Sequence, residues 1–136
     1  MEKIVGKEVT LPLGAERLYS VFSDLRGITS KLPEEYKSKV TATQDTIEGE
    51  YNGMKLGLKV AQRIENQLVS LKPSGAFPFD FTLNFLMDPL PENKTKFRIE
   101  VDAEMNFLIR SMFGGKIKEM IDKMTDAISQ FSPDKQ

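Results

Sequence analysis

Two segments of the chain alternate apolar and polar residues with a period of two. Phe77, Phe79, Phe81, Leu83, Phe85 and Met87 share one parity, and Asp80, Thr82, Asn84 and Asp88 share the other. Phe97, Ile99, Val101, Ala103 and Met105 repeat the pattern against Lys96, Arg98, Glu100, Asp102 and Glu104. Successive side chains of a strand point to opposite faces, so each segment is a strand with one buried and one wet face, as antiparallel sheets permit. The apolar face needs a cover. The one segment long enough to provide it is Phe107 to Phe131, where Ile117, Met120, Ile121, Met124, Ile128 and Phe131 follow helical spacing. Such a helix is roughly 35 Å long at about 1.5 Å per residue.

The helix carries further expectations. Leu108, Met112 and Phe113 extend its apolar stripe toward the N-terminus, and Lys118–Asp122 and Glu119–Lys123 form i,i+4 pairs on the opposite face. Gly114-Gly115 interrupts the pattern, so either the helix kinks there or something packs closely against it. Ser132 to Gln136 reads as a frayed tail.

The remainder is shorter in period. Lys3 to Leu11 is a strand with Val5, Val9 and Leu11 on one parity, ended by Pro12 and Gly14. Leu18, Val21, Phe22 and Leu25 make a helical stripe that Gly27 breaks, and a second short helix, Ile28 to Leu32, runs into Pro33. From Lys39 onward the text is strand-like. Val40, Ala42, Ile47 and Tyr51 lead to Asn52-Gly53, a strong hairpin signal because a type I′ turn needs positive φ at both central positions. Met54, Leu56, Leu58 and Val60 then alternate with Lys55, Gly57, Lys59 and Ala61, with Gln62 and Ile64 continuing the inner parity and Arg63 the outer. Glu65-Asn66-Gln67 is a turn, Leu68 to Lys72 a short strand closed by Pro73, Ser74 and Gly75, and Pro89 to Asn93 a loop. No repeat or low-complexity tract is visible.

Composition narrows the chemistry. The 136 residues suit one domain, 1–136, with 40% hydrophobic and 29% charged residues. No cysteine and no histidine are present, which excludes disulfides, thiolate nucleophiles, zinc fingers, iron–sulfur clusters and imidazole bases. Nineteen basic against 20 acidic residues give a net charge of −1, and Lys37–Lys39 and Lys116–Lys118 are broken by neutral residues, so no nucleic-acid stripe stands out. Charges at Glu2, Lys3, Lys7 and Glu8 leave no room for a signal peptide, and no window approaches about 18 consecutive apolar residues, so no membrane span and a cytoplasmic location are expected.

The fold these elements specify is α+β. A strongly curved antiparallel sheet of seven strands has two short helices after its first strand, and a long C-terminal helix packs across it. This order, the paired short helices ending at Leu32-Pro33, the segment Phe77-Pro78-Phe79-Asp80-Phe81 and the run Lys94 to Phe131 resemble the helix-grip superfamily. That group comprises START, birch-pollen-allergen-like, SRPBCC and polyketide-cyclase-like proteins, and the resemblance is to its small bacterial members. It covers nearly the whole chain. It implies a deep cavity between sheet and long helix, in a superfamily whose members bind lipids, sterols, polyketides, quinones and plant hormones. Some are cyclases, some are co-chaperone or ribosome-associated modules, and some carry a Rieske centre. The Rieske branch needs cysteine and histidine and is excluded here.

On that resemblance the expected ligand-binding residues are Leu56, Leu58, Val60, Gln62, Phe79, Phe81, Leu83, Phe97, Ile99, Val101, Phe113, Ile117, Met120 and Met124. For each apolar member plain core is the competing reading, and for the methionines gap-filling competes with a pliable lining. Gln62, the polar residue on an inward parity, either orients a ligand or sits at a strand end in water. Tyr19, Tyr36 and Tyr51 are phenols near the expected mouth, with packing the more ordinary role. No inward position carries a carboxylate, no metal-ligand or phosphate-loop spacing is found, and no cofactor is implied. The first reading is therefore a carrier or sensor of a small apolar molecule. A protein-interaction module with a filled core, with an exposed apolar patch near Leu86 or the short helices, is the alternative. An enzyme of cyclase or hydratase type is the third.

Overall fold

The structure, a computed structural model, describes residues 2–30, 34, 38–51, 53–75, 77 and 79–130, and of Tyr51 the backbone alone. The expected helix end at Leu32-Pro33, Tyr36, Asn52, Pro78, Phe131 and the tail 132–136 lie outside the described residues.

The chain runs β1 (Glu2–Val5), β2 (Val9–Leu11), α1 (Ala15–Phe22), α2 (Leu25–Thr29), β3 (Val40–Ala42), β4 (Thr46–Tyr51), β5 (Met54–Ile64), β6 (Leu68–Gly75), β7 (Phe81–Leu90), β8 (Lys94–Ala103) and α3 (Phe107–Ser129). The strands form one antiparallel sheet in the order β1-β8-β7-β6-β5-β4-β3, with β2 also paired to β8. This is the helix-grip arrangement expected from the sequence. The expected first strand is divided into β1 and β2 around Gly6–Glu8, which brings the described sheet to eight strands.

Hairpin chemistry follows the local residues. Tyr51 pairs with Met54 across a tight turn in which Gly53 has φ +78°. Asn66 (φ 62°) turns β5 into β6, and Glu92 (φ 65°) and Asn93 (φ 57°) turn β7 into β8. β7 runs on through Pro89, expected as loop, to Leu90. Met87 donates its N–H to Gln67 O on the β6 side, so Pro89, two residues on, has its missing N–H beyond the start of β6, where no ladder bond is lost.

Two sequence expectations are corrected. The first concerns the short helices. Gly27 does not break a helix: it lies inside α2, and Leu25 belongs to α2, not α1. The boundary is set by Asp24, whose carboxylate accepts the Arg26 N–H at 3.0 Å as an N-cap. Gly27 is there for space, because a Cβ on it would lie 2.2 Å from the Val21 carbonyl oxygen. The second concerns β5. The ladder to β6 shifts between Val60↔Leu71 and Gln62↔Ser70, a β-bulge that makes Ala61 the extra residue. One extra residue exchanges the faces of everything after it. Gln62 and Ile64 are exposed, and Arg63 turns inward, donating from Nε to Ser23 O at 2.9 Å and from its guanidinium to Gln44 O at 3.1 Å.

The inner face of the sheet is closed unevenly. At one end α1 packs on it: Phe22 stacks on Phe85 (5.3 Å between centroids) and on Phe97 (5.4 Å), and Leu18, Leu25, Met87 and Ile99 complete a solid core. The C-terminal half of α3 joins this core through Ile121, Thr125 and Ile128, its buried residues. Lys7 of the β1–β2 connection holds the same half, donating its backbone N–H to Asp122 at 2.9 Å and pairing through its ammonium with Asp126.

Candidate functional site

The other end of the sheet is hollow. β6 pairs with β7 through Leu68–Leu71, whereas its remaining residues pair with β5; the start of β7, Phe81 and Thr82, pairs with β8. The sheet therefore parts between the end of β6 and the start of β7. Phe77 and Phe79, expected as the beginning of the strand, instead precede it. Their rings turn inward as a chain of contacts: Phe77 meets Phe81 edge-on at 5.1 Å, Phe79 meets Phe81 at 5.6 Å, and Phe79 meets Phe113 of α3 at 5.9 Å.

Under this arch lies a cavity of about 400 Å³ lined by Met54, Leu56, Leu58, Phe77, Phe79, Phe81, Leu83, Val101, Phe113, Ile117 and Met120. Its wall presents no polar surface. The roof is the N-terminal half of α3. That half begins at Asn106, whose side chain caps the Ile109 N–H at 2.9 Å, and is tied to β1 by Arg110 Nε and Glu2 at 3.0 Å. It buries little: Phe107 is 81% and Leu108 63% exposed.

Of the residues expected from the sequence, Leu56, Leu58, Phe79, Phe81, Leu83, Val101, Phe113, Ile117 and Met120 come together in this wall. Phe97 and Ile99 do not. They are fully buried in the solid core, because α1 puts Phe22 on that part of the sheet. Val60 and Met124 are half-buried and pack against the same core. Gln62 is turned out to solvent by the bulge. Two lining residues were missed. Met54 and Phe77 sat on the right parity, but both lie beside turns, where alternation alone does not say whether a side chain folds inward. Tyr19 packs against the core instead of facing the cavity wall.

The expected stripe of α3 holds from Phe113 onward and fails before it. Leu108 and Met112 are exposed, and the inward row runs Phe113, Ile117, Ile121, Met124 and Ile128. The helix passes through Gly114-Gly115 without a break, and a Cβ on Gly115 would meet nothing within 4 Å, so nothing packs closely there. Exposed apolar residues group at Phe107, Leu108 and Met112 of α3, and near Leu86 the exposed Ile64 stands in one row with Leu68 and Leu86; the cavity is open, not filled.

Charge is arranged away from the cavity. On the outer face of β8, burial pushes the Glu100 carboxyl up, but Arg98 Nε at 2.5 Å and Lys3 at 3.5 Å outweigh it and hold Glu100 below its ordinary value. Arg98 also faces Glu8 and Asp88. The Arg26 guanidinium beside Asp24 lowers that carboxyl to about 2, and Lys118 lowers Asp122. None of these groups is in the cavity wall. Among the described residues no cluster of acidic side chains is placed to hold a metal ion, and no helix is long and apolar enough to cross a membrane.

Comparison with solved structures places this geometry in a known fold. Protein MLL2253 from Mesorhizobium loti superposes with a TM-score of 0.70 at 17% identity over 95% of each chain. Norcoclaurine synthase from Thalictrum flavum gives a TM-score of 0.65 at 10% identity, covering 96% of this chain and 87% of that one. The di-domain ARO/CYC protein BexL from the BE-7585A biosynthetic pathway gives 0.75 at 8% identity over 95% of this chain and 45% of its own. The chain thus has the helix-grip fold. No protein-family model and no curated protein matches it.

Proposed function

We propose that this chain, as one domain in the cytoplasm, carries or senses a small apolar molecule held between the sheet and the N-terminal half of α3. The observation that supports this most is the contrast within one sheet face. Where α1 covers it the side chains interlock, and where α3 alone covers it about 400 Å³ is left open behind an apolar wall. That volume lies within the range of roughly 300–1,000 Å³ typical of small-molecule sites. Removing apolar surface from water contributes about 25 cal/mol per Å² before the costs of association. The weakly buried roof offers a way in without disturbing the core.

Native mass spectrometry of the chain purified from its own host, with extraction of whatever denaturation releases, tests the reading. A stoichiometric apolar adduct, absent from an Ile117→Trp variant whose larger side chain fills the cavity, is the expected result. A mass that stays free of adduct after incubation with fatty acids, quinones and aromatic polyketide analogues overturns it. The second reading, an interaction module, rests on Phe107, Leu108 and Met112, three exposed apolar residues on one end of α3.

A further inference from the structure

The cavity does not end under α3. Leu56 on β5 faces inward between Gly49 on β4 and Gly75 on β6, its register partners on either side. Neither neighbour has a side chain, so the row across the three strands is a trough with one leucine in it. Gly75 cannot be otherwise: its φ is +107°, and a Cβ would lie 2.7 Å from the Lys55 carbonyl oxygen. On its Gly49 side, and not at Gly75, the row borders a second space of about 260 Å³ that shares Leu56, Leu58 and Phe77 with the inner cavity and continues along Gly49 toward β3. Lys39 and Glu50 are the charged residues in its lining.

Building on the proposed apolar site, we infer that its ligand is a linear amphiphile. The unbranched hydrocarbon chain lies in the inner cavity and passes Leu56 along the trough, and the polar end rests beside Lys39 and Glu50. Two features carry this. The inner wall has no donor or acceptor, so a polar group there goes unpaired, whereas the outer end has charged side chains and solvent. The two spaces share Leu56, Leu58 and Phe77 and so lie side by side, and an extended chain is the ligand shape that can occupy both.

The test uses the full chain, with octanoate, palmitate and the fused-ring fluorophore anilinonaphthalene sulfonate as probes. Palmitate is expected to displace the fluorophore at least tenfold more tightly than octanoate. Val40→Phe, which puts a ring into the outer space from a half-buried position opposite Gly49, is expected to remove about tenfold of the palmitate affinity. Palmitate photolabelled at its carboxyl end is expected to mark residues 38–51, and palmitate labelled at its methyl end α3; this needs no variant. If octanoate and the fluorophore bind while the carboxyl-end label marks α3, the orientation is overturned and the apolar site stands. If no probe binds the wild-type chain, both fall.

Discussion

Phe79 and Phe113 face each other across the mouth of the cavity, 5.9 Å apart and tilted by 45°. One precedes the most apolar strand and the other roofs it, so this pair joins the parted edge of the sheet to the loosely held half of α3. Phe113→Ala is expected to destabilise the chain by about 1 kcal/mol, below the 3–5 kcal/mol of a fully buried phenylalanine because Phe113 is half-buried. Hydrogen exchange should quicken over Phe107–Phe113 and stay slow around Thr125 and Ile128. Uniform quickening along α3 would show that the two halves are not separately anchored.

The same substitution should act with opposite sign at two glycines. Gly115→Ala places its methyl in open space within a continuous helix, so it is expected to stabilise by about 1 kcal/mol. Gly27→Ala drives a methyl against the Val21 carbonyl and is expected to cost about 2 kcal/mol or more. Urea midpoints of the two variants decide the point, and a shift in the same direction for both refutes it.

Arg63 joins three segments, with Nε on Ser23 O, the guanidinium on Gln44 O at 3.1 Å and on Asp45 at 2.7 Å. Arg63→Met should cost about 1.5–3 kcal/mol, the scale of hydrogen bonds to a charged group. Arg63→Lys should recover little of it, because an ammonium cannot serve the fork of acceptors that a guanidinium reaches. Full recovery by lysine would mean that charge alone matters.

Glu100 and Asp122 are held below their ordinary values by neighbouring cations, and Asp24 is lowered to about 2. A depressed carboxyl binds fewer protons in the folded chain than in the unfolded one, so stability rises with pH across that window. The contribution is present above the unfolded carboxylate pKa, near 4, and is lost as pH falls through the folded values. Denaturant midpoints measured from about pH 6 to about pH 2 should fall steadily, with a shallower fall in Glu100→Gln. An unchanged slope in that variant would remove Glu100 from the account.

Much of the architecture was legible because its signals are local. The alternation of Phe81, Leu83 and Phe85, the glycine of the β4–β5 turn, and the row Ile117, Ile121, Met124 and Ile128 each repeat with the period of their element. The bulge at Ala61 was not legible. Val60, Ala61 and Gln62 fit an unbroken strand equally well, and only the partner strand defines which residue is extra. The N-cap at Asp24 is a local signal, but Gly27, three residues on, is the stronger helix breaker by propensity and masks it.

By itself the sequence determined the apolar face of β7, of β8 and of β5 as far as Val60, and which helix must cover it, since these follow from periodicity along the chain. The tertiary structure alone decided where that face is solid and where it is hollow. Phe97 and Phe81 are equivalent in pattern, yet Phe97 lies under the Phe22 ring and Phe81 borders open space. The difference is made by α1, an element remote in sequence that covers one end of the sheet and not the other, and no local pattern encodes where a distant helix comes to rest.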